Sequence, residues 1–480
     1  MPADEVEDFI SDFLTELHGD NAAAFVGAGL SKAAGYVDWG GLLQKPAKAI
    51  GLNSALETDL VGLAQFYVNA NGSNRGQLNQ LLIDRFSDLV APSENHRILA
   101  RLPIRTFWTT NYDKLIESAL EANGKRIDVK YSVDQLATTQ RGRDALLYKM
   151  HGDIDHPAQA ILIRDDYEKY HLSHAPFVTA LSGDLVSKTF VFLGFSFTDP
   201  NLEYVFSRVR IDFAQDQRQH FCITKRRTKN ARETEEDFIY ARTRQSLVAG
   251  DLMRFNVKTV FINEFAELTE ILGAIERRYR AKTVFIAGSA AEYGPWGADI
   301  SLDFLTRLSA ELIGKEMRIA TGFGYGVGGA IVTGAVQAIY STPFKSVDQQ
   351  LVMRPFPISI SDPARQRATF ERYREELLSQ AGIALFLFGN KTDPAGHNVP
   401  ADGLKKEFEM ARQRGLFVVP VGASGFVAKE LWNTVMADFE SYFPGKAQLR
   451  PHMEALGKEV ASPIELLSPL LSLIEELSKG

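Results

Sequence analysis

The 480-residue chain contains one cysteine, Cys222. A single thiol excludes an intramolecular disulfide framework and any zinc site built from four cysteines, and it fits a reducing compartment. Long hydrophobic runs are missing as well. No apolar stretch approaches the ~20 residues that span a bilayer, so no membrane-crossing segment is expected. The start, Met1-Pro2-Ala3-Asp4-Glu5, is acidic where a secretory signal is basic, and a cytoplasmic location is expected. Positive charge is not in surplus either. The net charge of −7 offers no general attraction for nucleic acid or an anionic membrane. The sequence shows no internal repeat and no low-complexity tract.

What remains is an ordinary globular composition, 45% apolar and 24% charged, on a chain too long for one compact core. Val6, Phe9, Ile10, Phe13, Leu14 and Leu17 recur at helical spacing, predicting an N-terminal amphipathic helix that lies on the body or on another subunit. Apolar runs at 22–26, 104–108, 145–149, 189–193, 220–223 and 257–262 read as strands. Helical patterns fill most of the intervals, among them 60–70, 77–89, 112–120, 177–185 and 201–213. A second series begins after the basic stretch 277–282, with strands at 283–287, 318–320, 351–353, 383–388 and 417–421. Its helices are expected at 298–313, 330–340, 364–378, 403–412 and 464–477. This alternation predicts an α/β fold of two doubly wound, Rossmann-like parallel-sheet domains, 1–280 and 281–480.

Polar motifs stand where the predicted strands end, which is where ligands of such sheets bind. Gly27-Ala28-Gly29-Leu30-Ser31 follows the first run. Glycine has no Cβ, so an anion can reach the amides at a helix start, although a bare tight connection reads the same way. Asn111, in Thr110-Asn111-Tyr112-Asp113, is either a helix N-cap, a task Asp113 can share, or a neutral amide that holds a ribose hydroxyl or a water. Beyond 145–149, period-two alternation places His151, Asp153 and Asp155 on one face, with His156 close behind. A metal site, a structural histidine and a general base all fit; an imidazole titrating near ~6.5 favours the base, and no metal is expected. In Gly194-Phe195-Ser196-Phe197-Thr198-Asp199-Pro200-Asn201, Asp199 is a good N-cap before a proline at the first helical position. That leaves Gly194 and Ser196 better placed to touch a ligand. In the second half, the first strand runs into Gly288-Ser289, and five glycines crowd into 322–329. Their density suggests that something approaches the backbone closely there. Arg374, Lys391 and Glu407, taken singly, read as solvated charges.

Gly27-Ala28-Gly29-Leu30-Ser31, Thr110-Asn111-Tyr112-Asp113, His151-Gly152-Asp153 and Gly194-Phe195-Ser196 resemble the ordered motif set of the sirtuin-type NAD-binding domain. The second half resembles a SLOG domain, a Rossmann-like nucleotide-sensing module. The pairing resembles the NAD-consuming effectors of Thoeris antiphage defence over nearly the full length. Two departures sharpen the comparison. Protein-deacylating sirtuins carry a four-cysteine zinc module that one cysteine cannot build, which favours NAD hydrolysis over deacylation. The Pro-Gly-Gly-x-Gly-Thr-x-x-Glu signature of nucleotide-hydrolysing SLOG relatives is absent, its nearest stretch being 389–407, which favours sensing over catalysis.

The resemblance implies that Asn111 and His151 are catalytic and that Gly27, Ala28, Gly29, Ser31, Asp113, Gly194 and Ser196 bind NAD as substrate. It implies a second ligand, a cyclic ADP-ribose isomer made by a TIR-domain partner, held by Arg374 and Lys391 with Gly288, Ser289 and Glu407 nearby and the turn at Gly324 and Gly326 beside them. It also implies a homotetramer. NAD-dependent protein deacylation or ADP-ribosylation, and a nucleotide-binding regulator without turnover, are the competing readings.

Overall fold

The apolar runs fold into parallel strands covered on both faces. β1 (Ala22–Val26), β2 (Thr106–Thr109), β3 (Ile127–Lys130), β4 (Ala145–Lys149), β5 (Thr189–Leu193), β6 (His220–Lys225) and β7 (Val257–Ile262) form one sheet in the order β3-β4-β2-β1-β5-β6-β7. Every pairing in it is parallel. All residues of β1 and β5 are buried, which is why these strands read as unbroken apolar runs rather than as alternations. The order turns about β1, with β2 on one side and β5 on the other, and this switch point opens a crevice beyond the strands' C-terminal ends. The computed structural model describes residues 3–88, 90–213, 216–231, 233–343, 345–356 and 362–479. Its two compact units are Met1–Glu276 and Arg277–Gly480.

The N-terminal helix Ala3–His18 buries Phe9, Ile10, Phe13 and Leu17, and Phe9 meets Phe221 of β6 with ring centroids 4.9 Å apart. Its apolar face is thus occupied by its own unit. The helix expected over 77–89 runs Gly76–Phe86, and residue 89 lies outside the described residues. The one expected to begin at Tyr112 starts later, at Leu115, and runs Leu115–Ala122.

In the second unit, β8 (Thr283–Ser289), β9 (Arg318–Thr321), β10 (Leu351–Met353), β11 (Ile383–Phe388), a hairpin of β12 (Asn390–Thr392) and β13 (Asn398–Pro400), and β14 (Phe417–Pro420) follow in turn. The main sheet has the order β10-β9-β8-β11-β14 and is parallel throughout. Helices Gly297–Gly314 and Gly328–Tyr340 pack backbone to backbone where Gly334 faces the Thr306 carbonyl. The C-terminal helix Leu467–Ser478 buries Leu470, Leu473, Ile474 and Leu477.

Candidate active site

Strand register brings the motifs of the first unit to one level. Val26 pairs with Thr109 and with Leu193, and Thr109 pairs with Lys149. Gly27 and Gly194 therefore stand one residue past the paired rung, and Asn111 and His151 two. The two glycines meet each other. A Cβ on Gly27 would lie 2.5 Å from the Gly194 carbonyl oxygen, and one on Gly29 would lie 2.9 Å from Gly194 Cα. Gly194 has φ +64°, a left-handed conformation that favours glycine, and a Cβ there would overlap the Leu30 amide. The close approach expected of a phosphate is made by the chain itself, with the Gly29 amide donating to the Gly194 carbonyl at 2.8 Å. Ser196 is exposed, and among the described residues its hydroxyl bonds locally, to Thr198 Oγ1 at 2.8 Å.

A cleft of about 320 Å³ opens beside this contact, walled by Ala28, Ser31, Trp39, Asn111, Tyr112 and Asp113 among others. A chain of side-chain hydrogen bonds crosses it. Asn111 Nδ2 donates to Ser31 Oγ at 2.9 Å, and Ser31 Oγ donates to Asp113 Oδ2 at 2.7 Å. Asp113 Oδ1 accepts from the Leu115 amide at 3.0 Å, so Asp113 and not Asn111 holds the first amide of helix Leu115–Ala122, whose N-cap residue, Lys114, makes no side-chain cap. The Asn111 side-chain amide is thus held in the cleft by Ser31, beyond the end of β1, which Asp113 in turn orients. The Asn111 backbone N–H donates to Thr109 Oγ1 at 2.9 Å.

His151 is placed one strand further along and is 1% exposed. Tyr167 and Tyr170 meet its ring edge to face, and Asp199 Oδ2 stands 3.2 Å from its Nε2. Burial holds its pKa below the ordinary value, and the Asp199 and Asp166 charges oppose that shift. The imidazole is accordingly neutral at neutral pH and able to accept a proton. The single face expected for His151, Asp153 and Asp155, with His156 close behind, does not form, because β4 ends at Lys149 and the chain turns. Asp153 pairs with Lys149 at 2.5 Å, Asp155 pairs with Lys114, and His156 stacks on Tyr131 at 4.4 Å.

In the second unit the glycine-rich turn is also explained by the chain. A Cβ on Gly324 would overlap the Gly288 carbonyl oxygen, and one on Gly326 the Ala290 carbonyl oxygen. The Ala290 amide donates to the Tyr325 carbonyl at 2.8 Å. Ser289 ends β8 beside Phe388 of β11, and its buried Oγ has no hydrogen-bond partner among the described residues. Arg374 and Glu407, expected as surface charges, are instead buried together. Arg374 Nε lies 3.2 Å from Glu407 Oε1, and the guanidinium stacks over Phe356 at 5.1 Å. Lys391 is half exposed on the β12 hairpin, with Nζ 3.5 Å from Asp402 Oδ2 at the start of the helix that carries Glu407.

Residues 105–243 match the SIR2-like domain family, and residues 267–477 match the Sir2- and TIR-associating SLOG family. The NAD(+) hydrolase ThsA of Bacillus cereus (strain MSX-D12) is 48% identical over 474 residues, 98% of each chain. The chain belongs to the ThsA family of NAD(+) hydrolases. The NAD(+) hydrolase ThsA of Acinetobacter baumannii (strain 532279) is 47% identical over 472 residues, 97% of this chain and 98% of its own length. Defense-associated sirtuin 2 of Bacillus subtilis is 27% identical over 194 residues, 39% of this chain and 19% of its own.

Two groups in this ThsA-family chain escaped the motif reading. Asp199 was legible only as a helix cap, yet its carboxylate also faces His151. Lys149 closes an apolar strand and is 0% exposed. The signal for it was present, a lysine at the inner end of Ala145-Leu146-Leu147-Tyr148-Lys149, a run otherwise fit for the core.

Proposed function

We propose that this chain hydrolyses NAD to nicotinamide and ADP-ribose at the cleft of the first unit, as an effector of antiphage defence. The observation that carries the reading is the Asn111–Ser31–Asp113 hydrogen-bond chain at the sheet's switch point in a ThsA-family sequence. Nicotinamide leaves its pyridinium form as a neutral molecule, so no general acid is required. The demanding species is the ribose oxocarbenium, which must meet a positioned water. Asn111, oriented by Ser31, holds the ribose hydroxyl and the water, and His151 takes the water's proton. Attack on the anomeric carbon breaks the glycosidic bond, and the bonding pair leaves with nicotinamide. Ala28 and the segment from Gly194 to Ser196, with Gly27 and Gly29 keeping the turn narrow, receive the diphosphate and adenosine side.

The same proposal gives the second unit the role of a switch that responds to a cyclic ADP-ribose isomer from a TIR-domain partner. Support comes from the match to a Sir2- and TIR-associating SLOG family and from two cationic groups, Arg374, paired with Glu407, and Lys391, on the β12 hairpin; Gly288, Ser289, Gly324 and Gly326 complete the proposed site. Moving a two-state population from 1:99 to 99:1 needs ~5.5 kcal/mol of differential binding. Charge-assisted bonds to the two phosphates of such a ligand are of that order. A cytoplasmic homotetramer completes the reading. Purified full-length protein incubated with NAD, with and without cyclic ADP-ribose isomers, tests it. Release of free ADP-ribose that depends on the cyclic nucleotide and is lost in Asn111→Ala is expected. NAD left intact under every condition, or turnover only with an acyl-lysine peptide, overturns it.

A further inference from the structure

We propose that Lys149 is a positioning residue that holds the Asn111 loop and the His151 turn at fixed distance, acting through main-chain carbonyls and not on the substrate. The inference rests on the reading of Asn111 and His151 as catalytic.

Residues 110–114 connect β2 to helix Leu115–Ala122 without belonging to a strand or a helix. Carbonyls in such a segment lack a ladder partner, and when buried they must find a donor elsewhere. Lys149 Nζ supplies it for Asp113, donating to that carbonyl at 2.6 Å, and it shares the Tyr112 carbonyl, at 3.1 Å, with the Ile154 amide, also at 3.1 Å. The same ammonium reaches Glu117 Oε1 at 2.9 Å and Asp153 Oδ2 at 2.5 Å. Each acceptor lies on a piece of chain that matters to the site. Tyr112 and Asp113 directly follow Asn111, whose amide crosses the cleft, Glu117 is in the first turn of the helix that leaves the loop, and Asp153 follows His151 in the turn beyond β4. Lys149 itself is the last residue of β4, two before His151. One buried cation therefore ties both catalytic segments to the sheet.

A side chain that only filled space would be apolar here, because burying an ammonium is unfavourable unless its partners are well placed. Burial alone would lower the lysine pKa, but Glu117 and Asp153 outweigh that and hold it above its ordinary value, so the group stays charged. An apolar replacement would leave the Asp113 carbonyl without its donor and the Tyr112 carbonyl with the Ile154 amide alone, freeing the loop to shift. A shift of about 1 Å in a catalytic group costs on the order of 100-fold in rate. The loss should fall on the chemical step, since the Lys149 side chain does not itself line the cleft and acts through the main chain of Tyr112 and Asp113.

Steady-state NAD hydrolysis by the full-length chain with cyclic ADP-ribose isomers present, read beside a thermal melt, tests this. Lys149→Met is expected to lower kcat about 100-fold with KM for NAD within about threefold of wild type. Lys149→Gln, uncharged and shorter, is read the same way if Lys149→Met does not melt cooperatively. Glu117→Gln keeps an acceptor for the ammonium and is expected to stay within about threefold in kcat. A folded Lys149 variant with unchanged kcat, or a loss seen only in KM, overturns the inference. An equal loss in Glu117→Gln also overturns it, because it assigns the effect to the ion pair and not to the loop carbonyls. Asn111→Ala run in parallel separates the two levels. If it is inactive while Lys149→Met is active, only the Lys149 role fails; if it is fully active, the catalytic reading beneath fails.

Discussion

The Asp199 carboxylate faces the His151 imidazole, Oδ2 standing 3.2 Å from Nε2, while Oδ1 of the same group accepts from the Asn201 and Leu202 amides at 3.0 and 3.2 Å. The helix cap is thus also the charge that faces the histidine, at a geometry that makes no hydrogen bond. The helix Pro200–Phe213 fixes where the carboxylate points, and the carboxylate sets the charge environment of a buried imidazole. The two neighbours act in opposite directions. Burial disfavours imidazolium, and the anion restores part of what burial removes.

Replacing Asp199 by Asn keeps an N-cap of similar quality but deletes the charge. The His151 pKa then falls further, so the acid limb of the kcat/KM profile moves to lower pH. Rates measured from about pH 4.5 to about pH 8 check this. A limb that stays in place, or moves upward, severs the proposed link between Asp199 and the catalytic base.

Gly194→Ala is expected to be severely destabilising. It combines a left-handed backbone of φ +64° with a Cβ that would overlap the Leu30 amide. Left-handed strain alone is about 1–2 kcal/mol, and the steric clash brings the expected loss to about 3 kcal/mol or more. Gly183, in helix Ala175–Ser187, has nothing within 4 Å of its Cβ position. Gly183→Ala is expected to gain up to about 1 kcal/mol from helix propensity. Urea denaturation of both variants decides; equal midpoints would mean that the Gly27–Gly194 contact is not tight in solution.

The strands were legible because both-face burial writes itself as unbroken apolar runs, as in Thr189-Phe190-Val191-Phe192-Leu193. β3 was not, since Asp128 and Lys130 pair with each other at 2.6 Å and carry charge into a strand. Helix Glu235–Leu252 was also missed: Leu252 is its one buried residue, so no apolar stripe marks it. Ser31, Asn111 and Asp113 were found because polar residues at strand ends stand out. The purpose of the glycines was not legible. Gly27 and Gly29 read as an anion cradle in isolation, and only the fold brings Gly194 against them. The pairing of Arg374 with Glu407 fails to show for the same reason, as each is an ordinary charge until two helices bury them together.

Two other histidines make the first unit acid-sensitive. Burial pushes His96 down to about 4 and His220 down to about 3, against ~6.5 in an unfolded chain. Between those values the unfolded state binds more protons than the folded one, so stability falls as pH drops below ~6.5, by up to about 1.4 kcal/mol per pH unit for each group. His220→Gln is expected to flatten that slope by about one group's share. Urea midpoints at about pH 7 and about pH 5 measure it, and an unchanged slope would show that His220 is protonated in the folded protein.

Glu407 should respond in the reverse sense. Burial pushes its pKa up to about 7, against the pull of Arg374, from an ordinary value of 4.5. In that window the folded state holds the proton more tightly than the unfolded one. Stability is therefore lost as pH rises through it, by up to about 1.4 kcal/mol per unit, and levels off above the folded pKa. Glu407→Gln keeps a hydrogen-bond acceptor for Arg374 and removes the titration, so the variant should gain on wild type steadily as pH increases. Amide hydrogen exchange in helix Asp402–Gln413, corrected for the intrinsic pH dependence of exchange, reads the difference locally. If wild type and variant keep a constant ratio of protection from about pH 5 to about pH 8, Glu407 is ionised throughout. The Arg374 pair would then be a full ion pair instead of a buried cation facing a largely neutral acid at the lower end of that range.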